Sequence, residues 1–157
     1  MSRRATARPG TAAADGGPAL FRLVRFWSRR WINRTSADLP DELRHAQHVQ
    51  VVEAVAATVE QDAEATITSV SHQLGLDHSG ASRMVRDATA AGFLSRAESE
   101  HDRRRTALAL TASGERLLTE ARDWQRQVFT ELTADWDDLD RQRFAGYLRR
   151  LSNELEL

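Results

Sequence analysis

Ser79, Ser82, Arg83 and Arg86 fall on one face of a helical pattern whose opposite face carries Ala81, Val85 and Ala88, with Met84 alongside. His78 opens this segment and Gly80 sits in its first turn. Short side chains at a helix start let the backbone approach base edges and phosphates. Arginine further along the same face can bind guanine O6 and N7 through two parallel hydrogen bonds. The chemistry these residue types offer is recognition, not bond making. The same types also make an ordinary solvated helix face, so the neighbouring segment weighs heavily in choosing between the two.

That segment is a hairpin pattern with a charged tip. Phe93–Glu98 and Thr106–Leu110 read as two strands, with Thr106, Leu108 and Leu110 alternating with Ala107 and Ala109. Between them Asp102 precedes three consecutive arginines, Arg103, Arg104 and Arg105. Three adjacent guanidiniums repel one another unless an anion is near. A narrow minor groove has an enhanced negative potential that attracts arginine. An exposed charged turn is common; one of this charge directly after two short helices joined by a turn is not.

A second short helix must precede and support the first. Thr68 or Ser69 is expected to cap it, Val70 and Leu74 share its inner face, and Gly75 ends it in a left-handed conformation. Leu76 is expected to turn back into the core, Asp77 to cap the arginine-bearing helix, and Gly92 to end it.

This segment, residues 67–111, resembles the winged helix-turn-helix of the MarR family of bacterial transcription regulators. The resemblance rests on Ser82, Arg83 and Val85 in the recognition helix and on Ala91-Gly92-Phe93-Leu94 with Arg96 after it. In the wing it rests on Asp102, Arg104, Leu110, Thr111 and Gly114. It covers about forty-five residues closely and the flanking helices loosely. It implies that Arg104 enters the minor groove and that Asp102 holds a wing arginine in place. His78 stands where the family often has proline, and Gly80 where it often has a threonine or serine that contacts DNA.

Composition bounds the alternatives. The net charge of −1 means that any DNA affinity comes from local clustering rather than from a basic coat. All 22 basic residues are arginine, which together with abundant alanine suggests a GC-rich genome, so arginine position weighs more than arginine identity. The chain has no cysteine, which removes a disulfide framework, a thiolate metal site and a cysteine switch. There is no Gly-rich phosphate loop and no metal-ligand cluster, so neither an enzyme nor a bound cofactor is expected. His45 and His48 are three apart, but no ligand spacing completes a metal site, and a structural histidine pair is the simpler reading. No apolar run suits a membrane span and no signal-peptide core is present, so a cytoplasmic protein is expected.

The rest of the chain is helical pattern. Residues 1–17 read as a disordered tail. Residues 18–34 read as a helix with Leu20, Val24, Trp27 and Trp31 as its stripe, broadened by Leu23 and Phe26. Residues 40–60 form a second helix with an irregular apolar face of Leu43, Ala46, Val52, Val55 and Val59. After Thr111, which can cap it, a long helix runs to about Ala134 with Leu117, Ala121, Trp124, Val128 and Leu132 in line. A final helix capped by Asp140 carries Phe144, Leu148, Leu151 and Leu155. These stripes lie at the two ends of the chain, where a self-contained winged domain leaves them little to pack on. A second copy supplies the missing surface, and the resemblance implies dimerisation through these same helices.

The fold expected is mainly α with a small β-hairpin wing: a winged helix-turn-helix at 41–111, an N-terminal dimerisation helix at 18–40 and C-terminal dimerisation helices at 112–157. The function expected is a homodimer that reads a palindromic operator in double-stranded DNA through His78, Ser79, Gly80, Ser82, Arg83, Arg86, Asp102, Arg103, Arg104 and Arg105. The resemblance implies repression relieved by a small lipophilic or aromatic effector, in a cleft that Trp27, Trp31, His45 and His48 can line as readily as they can serve packing. The alternative is a winged-helix protein-interaction module that does not read DNA; the arginine-rich wing argues against it.

Overall fold

The computed structural model describes residues 16–36, 40–61, 63–99 and 106–155, and of these the side chains outside 27–44. Six helices and one hairpin are present among them: α1 Gly16–Ser36, α2 Pro40–Glu60, α3 Ile67–Leu74, α4 His78–Ala90, β1 Leu94–Glu98, β2 Thr106–Leu110, α5 Ala112–Leu132 and α6 Asp138–Glu154. The chain divides into two units after Arg44.

In the first unit, α1 starts at Gly16, inside the stretch read as a tail, and runs to Ser36, two residues beyond the expected end. Its described apolar side chains, Leu20, Phe21, Leu23, Val24 and Phe26, are all exposed. The side chains of Trp27 and Trp31 lie outside the described residues.

The second unit is built around α2. Val49, Val51, Val52, Ala54 and Val55 are buried although their positions spread around the helix. A helix apolar on nearly every side is a core helix rather than an amphipathic one, and this is why its pattern reads as irregular. Val59 departs from the expected face and is 54% exposed near the helix end. Around α2 pack Val70 of α3, Ala81, Val85 and Ala88 of α4, Leu94 of β1, Leu108 of β2 and Leu117 of α5.

The cap of α3 is Thr66, not Thr68 or Ser69. The Leu108 amide donates to the Ala65 carbonyl at 2.8 Å, tying the entry segment to β2. Thr66, next along, is extended (φ −136°, ψ 171°) and takes the cap position. Its hydroxyl accepts from the Ser69 amide at 3.2 Å while the Ser69 hydroxyl accepts from the Thr66 amide at 2.8 Å, a reciprocal capping box. Gly75 ends α3 at φ +61° as expected. Leu76 does not enter the core; it is 38% exposed. Its amide donates to the Ser71 carbonyl and its carbonyl accepts from the Ser71 hydroxyl, and this double tie leaves the side chain facing outward.

The strands pair antiparallel with Leu94 opposite Leu110, Arg96 opposite Leu108 and Glu98 opposite Thr106. Thr111 caps α5, its hydroxyl accepting from the Gly114 amide at 3.1 Å. The cap of α6 is Asp137 rather than Asp140: the Asp140 amide donates to the Asp137 carboxylate at 2.8 Å, which makes Asp140 a first-turn residue. Between α5 and α6, the Phe144 ring stacks on Phe129 and tilts against Trp136, with ring centres 6.0 and 5.2 Å away. Arg141 ties the same turn together, donating to the Thr133 and Trp136 carbonyls. Trp124, Leu132, Leu139, Tyr147, Leu148, Leu151 and Leu155 remain exposed.

Candidate nucleic-acid interface

The outward face of α4 is set by what the helix buries. Ala81, Val85 and Ala88 have no exposed surface. Three small or β-branched side chains pressed into a core leave the helix little freedom to roll, because close-packed interiors resist rearrangement. The opposite side is thereby held outward. His78, Ser79, Arg83 and Arg86 are exposed, and Gly80 and Ser82 are partly buried.

The start of α4 is fixed by Asp77, which is extended and whose carboxylate accepts from the Gly80 amide at 2.7 Å. The expected cap is therefore present, and it supports three consecutive residues assigned to the site: His78, Ser79 and Gly80. Among the described residues, neither Arg83 nor Arg86 is engaged in an ion pair or a side-chain hydrogen bond. Both guanidiniums stand ready for an external anion or base edge. Asp87 is exposed on the same helix. It is the one acid of α4, and it limits how far that helix acts as a plain positive patch.

The helix ends at Ala90, and Gly92 follows at φ +83°. The Gly92 and Phe93 amides donate to the Thr89 and Ala88 carbonyls at 3.0 Å each. In the first strand of the hairpin Leu94 is buried, and Ser95, Arg96, Ala97 and Glu98 are exposed. Arg96 is thus a further exposed arginine beside the helix, outside the residues assigned to the site from sequence. Its place after Ala91-Gly92-Phe93-Leu94 was part of the family resemblance, but no DNA contact was assigned to it from sequence. Asp102, Arg103, Arg104 and Arg105 lie outside the described residues.

The structure brings together the helix half of the sequence-assigned site and places the hairpin stem directly after it. It also shows a role that sequence reasoning missed. Thr111 is not only a cap: its hydroxyl donates to the Gly92 carbonyl at 2.5 Å and its amide donates to the Phe93 carbonyl at 3.0 Å. Of the residues discussed as a ligand cleft, His45 is exposed, and the partly buried His48 lies against the Phe93 ring with centres 5.2 Å apart. Among the described residues no three of His, Cys, Asp or Glu converge as a metal site, and no helix is long and apolar enough to cross a membrane.

Comparison with known proteins agrees with this geometry. Residues 45–114 match the winged helix DNA-binding domain family. No curated protein matches the chain. Among solved structures, a MarR family protein from Bacillus stearothermophilus is similar over 96% of this chain and 100% of its own, at 18% identity and a TM-score of 0.61. The PcaV transcriptional regulator from Streptomyces coelicolor, solved in complex with its natural ligand, is similar over 96% of this chain and 98% of its own, at 20% identity and a TM-score of 0.57. BpsR of Bordetella bronchiseptica, whose DNA binding is regulated by 6-hydroxynicotinic acid, is similar over 85% of this chain and 98% of its own, at 19% identity and a TM-score of 0.56. At these identities the likeness is one of fold: residues 45–114 resemble a winged helix DNA-binding domain, and the chain is similar in fold to those regulators.

Proposed function

We propose that this winged helix protein is a cytoplasmic, homodimeric, sequence-specific transcriptional regulator. In this reading α4 lies in the major groove, with Arg83 and Arg86 reaching base edges or phosphates, and the hairpin tip lies in the flanking minor groove. The observation that carries the proposal is the outward face of α4: two arginines unengaged by described residues, beside small polar residues, held there by fully buried Ala81, Val85 and Ala88.

The dimer rests on a second observation. Trp124, Leu132, Leu148, Leu151 and Leu155 are exposed on α5 and α6, and Leu20, Leu23 and Val24 on α1. So much exposed apolar surface on long helices suits burial against another copy. Twofold symmetry would set two α4 helices about one DNA turn apart and match a palindromic operator. Bound across a promoter, the dimer would exclude polymerase and so repress. Two regulators of similar fold have ligands bound or a small-molecule regulator of DNA binding. We therefore assign relief of repression here to a small effector, lipophilic or aromatic in character.

The test is light scattering of the purified protein, followed by selection of bound sequences from a random DNA pool. A dimer mass at micromolar concentration and an inverted-repeat consensus are expected. A monomer mass, or recovered DNA with no consensus, would overturn the proposal.

A further inference from the structure

We infer that the Thr111 hydroxyl is a positioning group that sets the angle between α4, the reading helix, and α5, and thereby the half-site spacing the dimer accepts. The inference rests on the dimeric DNA-reading function proposed above.

Three contacts join the start of α5 to Gly92 and Phe93, just beyond the end of α4. The Thr111 hydroxyl donates to the Gly92 carbonyl, and the same oxygen accepts from the Gly114 amide. The Thr111 amide donates to the Phe93 carbonyl. Gly114 packs on that carbonyl so tightly that a Cβ there would overlap its oxygen and stand 3.2 Å from its carbon. Gly92 and Phe93 are themselves bonded back into the last turn of α4 through the Thr89 and Ala88 carbonyls. One hydroxyl, with one donor and two acceptor sites, therefore caps α5 and holds it to the end of α4 at once. A plain helix cap needs only the acceptor. The donated bond spans nineteen residues and does nothing for α5 alone.

The consequence is geometric. In a dimer held by α5 and α6, the separation and relative twist of the two α4 helices depend on how rigidly each α4 is fixed to its own α5. Releasing the Gly92 bond should widen the range of angles, so that a well-spaced operator loses affinity while a mis-spaced one loses less.

Aspartate at position 111 separates the two roles. It accepts from the Gly114 amide as a cap but as a carboxylate cannot donate to Gly92. Serine keeps both bonds, and alanine loses both. The measurement is the dissociation constant for the selected inverted repeat and for the same repeat with one base pair inserted, which turns one half-site by about 35°. Wild type and Thr111→Ser should discriminate equally. Thr111→Asp should keep a melting temperature near wild type, yet its ratio of mis-spaced to correct dissociation constants should fall at least about threefold. Thr111→Ala should show the same fall with lower stability.

A loss of stability alone reduces the active fraction and scales both constants together, leaving the ratio unchanged. An unchanged ratio in Thr111→Asp and Thr111→Ala would overturn the inference while leaving the proposed function standing. If Thr111→Asp does not fold, the ratio for Thr111→Ala decides. Wild type that fails to discriminate the two spacings would overturn both.

Discussion

The Asp77 carboxylate accepts a hydrogen bond from the Gly80 amide at 2.7 Å, and a Cβ on Gly80 would stand 2.8 Å from that same oxygen. The cap of α4 and one of the residues proposed to read DNA, Gly80, therefore meet at one atom. Asp77→Ala should lower stability by about 1 kcal/mol and weaken DNA binding, because the first turn of α4 frays where the backbone is proposed to approach the duplex. Asp77→Asn should retain most of both. Urea unfolding with titration of a labelled operator checks this.

Two glycines should answer alanine differently. At Gly114 the obstacle is the Phe93 backbone carbonyl, which is held by the hairpin and cannot move aside. Overpacking against fixed atoms costs about 1–3 kcal/mol and outweighs the ~1 kcal/mol gained in helix propensity. At Gly80 the obstacle is the end of a flexible side chain, and the weakened cap is offset by the propensity gain, so stability should change by less than about 0.5 kcal/mol. Equal losses at the two positions in chemical denaturation would contradict this account.

Arg83 stands exposed one turn into α4 and unengaged by described residues. Arg83→Ala should weaken specific binding by about 1–3 kcal/mol per half-site and relax preference at one base pair. Binding measured against single-position operator variants is the check. A uniform loss across all of them would mean that Arg83 touches phosphate only.

The wing offers a test by sign. Arg104→Ala should weaken binding and erase preference for A/T-rich flanks. Arg103→Ala and Arg105→Ala should mainly reduce the slope of log K against log salt, by about 0.9 for each phosphate no longer neutralised. Asp102→Ala removes a negative charge, and simple electrostatics predicts tighter binding. If Asp102 positions an arginine, binding weakens instead. Tighter binding across salt concentrations would reduce the wing to a charge patch.

The sequence by itself determined the parts governed by local rules. The buried and exposed faces of α4 followed from helical period, Gly75 from its tolerance of positive φ, and Asp77 from its ability to accept from free amides. The strand pairing followed from alternation. These depend on the repeat within one element or on two strands adjacent in sequence, and the structure shows each of them. The tertiary structure alone decided what depends on distant partners. Thr66 rather than Thr68 or Ser69 caps α3, because the bond from Leu108 to Ala65 sets the chain beside it, forty-three residues away in sequence. Leu76 faces outward although its type argued for the core, because both its backbone groups are tied to Ser71. Thr111 was legible as a cap, but not as a clamp. Helix capping is a neighbour effect within one turn, whereas the Gly92 carbonyl reaches the same hydroxyl only once the hairpin has closed and α5 has docked.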